Sequence, residues 1–256
     1  PFVPTTDGDF LPDDPEELLQ DGHFQVKPIL IGVTSDEGST FVPYLFPGIN
    51  DGLITWEQLL RGASRTLRKA TEETVQAVAL KYSVECHGPA RHRWAMSRLC
   101  GDYFSVCPAT ESAGKFTQRG SPVYLYSFRH HSSGSVWPRW IGAPHGAELP
   151  YVFGTLESVL DVNQTYTQAE AALSSRVMQY WAEFSRSGNP TGSTASTVQW
   201  SRCTATQQNF FQLSTEPPQI MKVSPARHCG FLDSFSSKTA NPRESGYFSG
   251  QESAFE

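Results

Sequence analysis

The run Ile29-Leu30-Ile31-Gly32-Val33 is almost unbroken in its apolar character and gives way to polar residues from Thr34. A strand with one face in water alternates apolar and polar residues, so this run predicts a strand covered on both faces, as in a parallel sheet. Val123-Tyr124-Leu125-Tyr126-Ser127-Phe128 has the aromatic and β-branched make-up of a second strand. Three segments between them read as helices. About Thr55 to Arg61 has a capping box from Thr55 and Gln58 and a stop at Gly62. About Thr71 to Tyr82 puts Val75, Val78 and Tyr82 on one face, and about Ala90 to Leu99 carries the basic Arg91, His92, Arg93 and Arg98. The strongest helical pattern starts at Thr167, boxed with Glu170. It buries Leu173, Val177, Trp181 and Phe184 along one stripe and ends at Gly188 before Pro190. Gln208 to Ser214 fits a late edge strand. Strands interleaved with helices predict α/β layering. Two central strands are few for 256 residues, so part of the sheet is expected to be missing.

Composition excludes several classes. Lys and Arg number 20 against 26 Asp and Glu, and the net charge of −6 argues against nucleic acid as a partner. No apolar run approaches the roughly 20 residues of a membrane span. Five cysteines, at 86, 100, 107, 203 and 229, form no CxxC pair, so a structural zinc site is not expected. The sequon Asn163-Gln164-Thr165 is a glycosylation candidate, while Asn189-Pro190-Thr191 is excluded by its proline. Cysteines and sequon together tilt the reading toward a secreted or extracellular protein, the alternative being a cytosolic one with free thiols. The chain opens Pro1-Phe2-Val3-Pro4, so a targeting signal would lie upstream. Residues 233–256, rich in Ser, Gly and charge, read as a polar, disordered tail.

In α/β sheets the reactive groups sit on loops leaving the carboxyl ends of strands. The first such loop reads Thr34-Ser35-Asp36-Glu37-Gly38-Ser39; the connection after the second strand runs from Trp137-Pro138 to His145-Gly146-Ala147-Glu148. An acidic residue on one and a histidine on the other fit an orienter–base pair, the carboxylate holding Nδ1–H so that Nε2 faces a nucleophile. Spacing by itself also fits a turn carboxylate and a loop histidine with no catalytic role.

Several ordered segments resemble the type-B carboxylesterase/cholinesterase family of α/β-hydrolases. Phe2-Val3-Pro4 with Asp7-Gly8-Asp9-Phe10 resembles the approach to the family's seventh strand. Ile31-Gly32-Val33 with Asp36-Glu37-Gly38-Ser39 resembles the strand and loop of the triad acid. Gly101-Asp102-Tyr103 with Cys107-Pro108 resembles a helix holding half of the last disulfide, and Trp137-Pro138 through His145-Gly146 to Phe153-Gly154 resembles the triad-histidine loop. Arg176 to Trp181 and on to Gly188-Asn189-Pro190 resembles the helix after it. The likeness spans residues 1–232. It implies the C-terminal half of an α/β-hydrolase fold, a mostly parallel sheet flanked by helices and incomplete without an N-terminal half.

The resemblance makes Glu37 the triad acid and His145 the general base, with Glu148 a supporting carboxylate. It places Phe2, Phe41, Tyr44 and Trp137 among the aromatics lining a substrate gorge, where cation–π attraction to a quaternary ammonium contributes about 0.5–2 kcal/mol per ring. It pairs Cys107 with Cys229; Cys86 and Cys100 bracket the basic helix and are a further candidate bridge. Thr40 and Ala147 stand where cholinesterases of the family carry tyrosines, implying a roomier site and leaving choline specificity open. The chemistry implied is hydrolysis of a small carboxylic ester through an acyl-enzyme, without cofactor or metal. A homodimer is left open as a partner state.

The family's nucleophile sits in a G-x-S-x-G elbow, a motif that these 256 residues lack. Thr110-Glu111-Ser112-Ala113-Gly114 imitates it, but Thr110 occupies a glycine position and Ser112 follows Glu37, against the family's order of Ser, acid, His. The expected nucleophile and oxyanion donors therefore belong to the N-terminal half, and the chain alone is expected to be inactive. The alternative is a non-catalytic binding or adhesion module of the same fold, although both Glu37 and His145 are retained.

Overall fold

The structure is a computed structural model and describes residues 4–48, 53–159, 166–192, 198–204 and 206–239. Its strands are β1 (Ile29–Thr34), β2 (Val123–Phe128), β3 (Phe210–Leu213) and β4 (Gln219–Ile220). They form one sheet in the order β1-β2-β3-β4. β1 runs parallel to β2 in a register from Ile29 opposite Val123 to Thr34 opposite Phe128; β2 is parallel to β3, and β3 antiparallel to β4. The helices are α1 (Pro15–Asp21), α2 (Phe41–Leu45), α3 (Trp56–Thr66), α4 (Glu72–Val84), α5 (Arg91–Gly101), α6 (Cys107–Gln118), α7 (Leu149–Val152), α8 (Gln168–Ser187) and α9 (Cys229–Thr239). A π-helical turn, Asp102–Val106, joins α5 to α6.

The pleat of β2 divides the core. Tyr124, Tyr126 and Phe128 pack with Leu173, Val177 and Tyr180 of α8, while Val123 and Leu125 pack with Val33 of β1 and Ala113 of α6. All six residues of β2 are buried. A fully buried large apolar side chain contributes about 1.5–3 kcal/mol, so α6 and α8 are clamped onto opposite faces of the same strand. A second layer of apolar contacts joins α3, α4 and α5 through Leu59, Ala63, Val78, Tyr82, Met96 and Leu99. A partly parallel sheet with helices on both faces is consistent with the partial α/β-hydrolase fold that the sequence resemblance implies.

The differences from expectation have local causes. α3 passes through Gly62, which is not a stop: a side chain there would press on Met96 and Phe46, so the glycine serves close packing. The stripe on α8 drifts to Leu173, Val177 and Tyr180, leaving Trp181 and Phe184 half-buried, because successive i+4 steps outrun a 3.6-residue turn. β3 is interior, flanked by β2 and β4, rather than an edge. The first four residues of β1 are only half-buried, since among the described residues β1 pairs on one side alone. Cys107 and Cys229 are bonded, at 2.03 Å. Cys86, Cys100 and Cys203 are free and buried, so the candidate bridge between Cys86 and Cys100 is not formed. α9 carries the chain as helix to Thr239, into the segment read as a tail; residues 240–256 lie outside the described residues.

Both capping boxes form, and the one on α8 reaches beyond its helix. Glu170 accepts hydrogen bonds from Thr167 N–H (2.7 Å), Ser133 N–H (2.6 Å) and Ser133 Oγ (2.6 Å), and lies 2.8 Å from His130 Nε2. It thereby ties the start of α8 to the loop leaving β2. Burial works against its charge, but the donors of Ser133, Thr167 and His130 outweigh it and hold the carboxyl at about 2 rather than 4.5. A carboxyl depressed on folding stabilises above its unfolded value and loses that contribution as pH falls toward the folded one, here a difference of up to about 3 kcal/mol. Urea unfolding of the parent and of Glu170→Gln should differ most near neutral pH, the gap closing between about pH 4.5 and 2. A gap independent of pH would contradict this account.

Candidate active site

The loop after β1 is built around two backbone demands. At Gly38 a side chain would collide with Ser97 O and Gly101 N of α5, so only glycine lets the turn seat against that helix. Glu37 folds back on its own turn, its Oε1 accepting the N–H of Thr34 at 2.6 Å. Ser35 N–H donates to Phe128 O at 2.8 Å, fastening the turn to the end of β2.

His145 arrives from the opposite direction. After β2 the chain makes a 3-10 turn over Arg139–Ile141, passes Gly142 at φ +70, and presents His145 between Pro144 and Gly146. The Nδ1 of His145 is 2.6 Å from Glu37 Oε2. An ionised carboxylate only accepts, so this bond calls for a proton on Nδ1, and in the neutral tautomer that fits it Nε2 carries the lone pair. The two partners differ sharply in exposure, 5% for the Glu37 side chain and 74% for that of His145. The carboxylate is thus sealed behind the imidazole, and the ring is the member of the pair that an incoming group would meet.

Glu148 follows three residues later, at the start of α7. Tyr126 OH donates to its Oε1 at 3.3 Å, and Oε2 is buried with no hydrogen-bond partner among the described residues. Burial pushes the Glu148 carboxyl up, and the nearby charge of Glu37 adds to this. Tyr126 reaches it because Gly32, opposite in the β1–β2 register, has no side chain to displace the ring. Beside Glu148 opens a cavity of about 540 Å³ lined by Tyr126, Val152, Phe153, Met178 and Trp181. The hydroxyls of Thr34, Ser39 and Ser127, around the carboxyl ends of β1 and β2, are also buried without partners among the described residues. Buried polar groups normally find one.

The structure thus brings Glu37 and His145 together, with Glu148 close by. The aromatics are dispersed: Phe41 stacks on Phe104 at 5.1 Å between ring centroids, while Tyr44 is 76% and Trp137 39% exposed. None of the three lines the cavity beside Glu148. Phe2 and Asn163 lie outside the described residues. Ser112 sits within α6, in regular helix rather than a strand-to-helix turn. Sequence reasoning passed over Tyr126 as an ordinary strand aromatic and Asp36 as a neighbour of Glu37. Asp36 Oδ2 accepts Ala143 N–H at 3.0 Å, a contact across 107 positions that no local pattern could signal. Among the described residues, no group of His, Cys, Asp and Glu side chains is arranged to hold a metal ion, and no helix is long and apolar enough to cross a membrane.

A model of the carboxylesterase family matches residues 1–232. An acetylcholinesterase from Bungarus fasciatus is 38% identical over 246 residues, covering 94% of this chain and 40% of that protein. The chain therefore spans about two fifths of the length of this curated relative. With a family match over nearly its whole length and a relative 38% identical over 94% of it, the chain belongs to the carboxylesterase family.

Proposed function

We propose that this chain supplies the acid and base of a serine carboxylic-ester hydrolase whose nucleophile and oxyanion donors lie outside these 256 residues. The observation that carries the reading is the 2.6 Å bond between Glu37 Oε2 and His145 Nδ1, with the far side of the imidazole open. In this scheme a serine hydroxyl attacks the ester carbonyl while His145 Nε2 takes its proton. The tetrahedral intermediate collapses as the imidazolium returns that proton to the leaving alcohol, and water then repeats the sequence on the acyl-enzyme. Glu37 stabilises the imidazolium in both halves of the cycle. The partnerless polar atoms around the strand ends support a fold completed by an N-terminal half of the same domain, which would provide their hydrogen bonds.

Choline esters or related carboxylic esters are the substrate class, favoured by the relative's name. With Thr40 and Ala147 leaving room beside the site, turnover of butyryl and aryl esters is expected alongside acetyl esters. Phe2, Phe41, Tyr44 and Trp137 act as gorge aromatics once the N-terminal half is in place, and Glu148 supports the histidine loop. The disulfide supports secretion into an oxidising compartment, with Asn163 as the glycan acceptor. A homodimer is a further expected state.

The test compares the 256-residue chain with the same chain joined to the upstream part of its polypeptide, using acetyl-, butyryl- and p-nitrophenyl esters. The joined protein is expected to turn over esters and the chain alone to be inert, with Ser112→Ala changing nothing. Activity of the isolated chain that disappears in Ser112→Ala would overturn the divided triad. An inert joined protein with Gly or Ala at the upstream elbow would favour the binding module.

A further inference from the structure

Two loops from distant parts of the chain must be held in register for Glu37 to meet His145, and Asp36 makes the contact between them. Its Oδ2 accepts the N–H of Ala143 at 3.0 Å, and its own N–H donates to Ala143 O at 3.1 Å. One residue therefore clasps Ala143 by both its backbone groups. Ser35 Oγ donates to the same Oδ2 at 2.5 Å, fixing the carboxylate's direction. Opposite, Gly142 at φ +70 makes room: a side chain there would run into the Asp36 carboxylate. Around this clasp the histidine loop is braced at other points. His131 Nδ1 lies 2.7 Å from Gly142 O, and the buried guanidinium of Arg93 lies over Trp140 at 4.4 Å.

We infer that Asp36 is a positioning residue, acting through the Ala143 peptide to set the distance between Glu37 and His145. Ala143 precedes His145 by two residues, and the residue between is the buried Pro144, whose ring fixes one of the intervening torsions. A displacement of Ala143 is accordingly passed on to the imidazole with little lost in rotation. Asp36 also adjoins Glu37, so the clasp ties the two loops together immediately beside the pair it aligns. A charged acceptor suits the task, because a carboxylate bond to a backbone N–H is about twice as strong as a neutral one. The catalytic consequence rests on the esterase reading above, but the geometric one does not.

The test uses Asp36→Ala, Asp36→Ser and Asp36→Asn. In the chain joined to the upstream part of its polypeptide, with labelled histidine, the proton between His145 Nδ1 and Glu37 should give a low-field NMR resonance. It is expected in the parent and in Asp36→Asn, which keeps an acceptor for Ala143, and lost in Asp36→Ala. If Asp36→Ala does not fold, Asp36→Ser, too short to reach Ala143 but still suited to a turn, takes its place with the same expectation. In the joined enzyme, Asp36→Ala should lower kcat about 10²-fold with KM within about threefold, as for a catalytic group misplaced by about 1 Å. Asp36→Asn should recover most of that loss. A folded Asp36→Ala or Asp36→Ser that keeps the resonance and kcat within twofold of the parent overturns the inference. Loss of the resonance in a protein whose parent turns over no ester upholds Asp36 as the positioning residue and removes the esterase reading instead.

Discussion

Replacing Glu37 by Gln in the joined enzyme should lower kcat by about 10⁴-fold while KM stays within a few-fold. The substitution preserves shape, and the Thr34 N–H at 2.6 Å can still be accepted by the amide oxygen. What changes is the group facing His145. An amide nitrogen donates, so Nδ1 must become the acceptor and the ring proton moves to Nε2, the atom that in the proposed scheme receives the nucleophile's proton. The imidazolium of that proposed transition state also loses its buried counter-charge, a carboxylate only 5% exposed. Because neither effect concerns the bound ester in its ground state, the loss belongs to kcat. Steady-state kinetics on a p-nitrophenyl ester would read it directly, and a loss under tenfold would mean that His145 is oriented by something other than Glu37.

Loss of the Cys107–Cys229 bond is the second large effect. The bond closes a sequence separation of 122 residues, and a loop of that length restricts the unfolded chain by roughly 5 kcal/mol in the chain-entropy treatment. The double replacement Cys107→Ser, Cys229→Ser should therefore lower the urea-unfolding free energy by about 4–5 kcal/mol and Tm by about 10–20 °C. Non-covalent contacts at the same place soften the loss without replacing it. His228 stands beside Cys229 with Nδ1 at 3.1 Å from Asp102 and Nε2 at 3.0 Å from Glu85, and Arg227 reaches Glu85 at 2.8 Å. These contacts, first among them the Asp102 hydrogen bond, raise the pKa of His228 and favour its charged form. A destabilisation below about 1 kcal/mol would show that this cluster alone holds α9 against the π-helical turn.

Much of the architecture was legible along the chain wherever the controlling interaction is local. β2 runs over the six residues of its aromatic run, and α8 lies between its capping box at Thr167 and its left-handed Gly188, because caps and strand composition act within a few residues. Gly62 misled for the complementary reason: a glycine read locally is a terminator, yet here Met96, from another helix, requires it. The same holds for β3, whose interior place depends on β4, a two-residue strand with no pattern of its own.

At the site, the division follows reach. The identities of Glu37 and His145, and the strand ends that carry them, were set by motif and by strand pattern. Their 2.6 Å bond, the clasp of Asp36 on Ala143, and the hydrogen bond from Tyr126 to Glu148 were decided only by folding, since they join residues 108, 107 and 22 positions apart. Local patterns encode torsional preference and burial, which a few neighbouring residues determine. The distance between two loops depends on the packing of every layer beneath them, here the seating of Gly38 on α5 and of Gly32 under Tyr126.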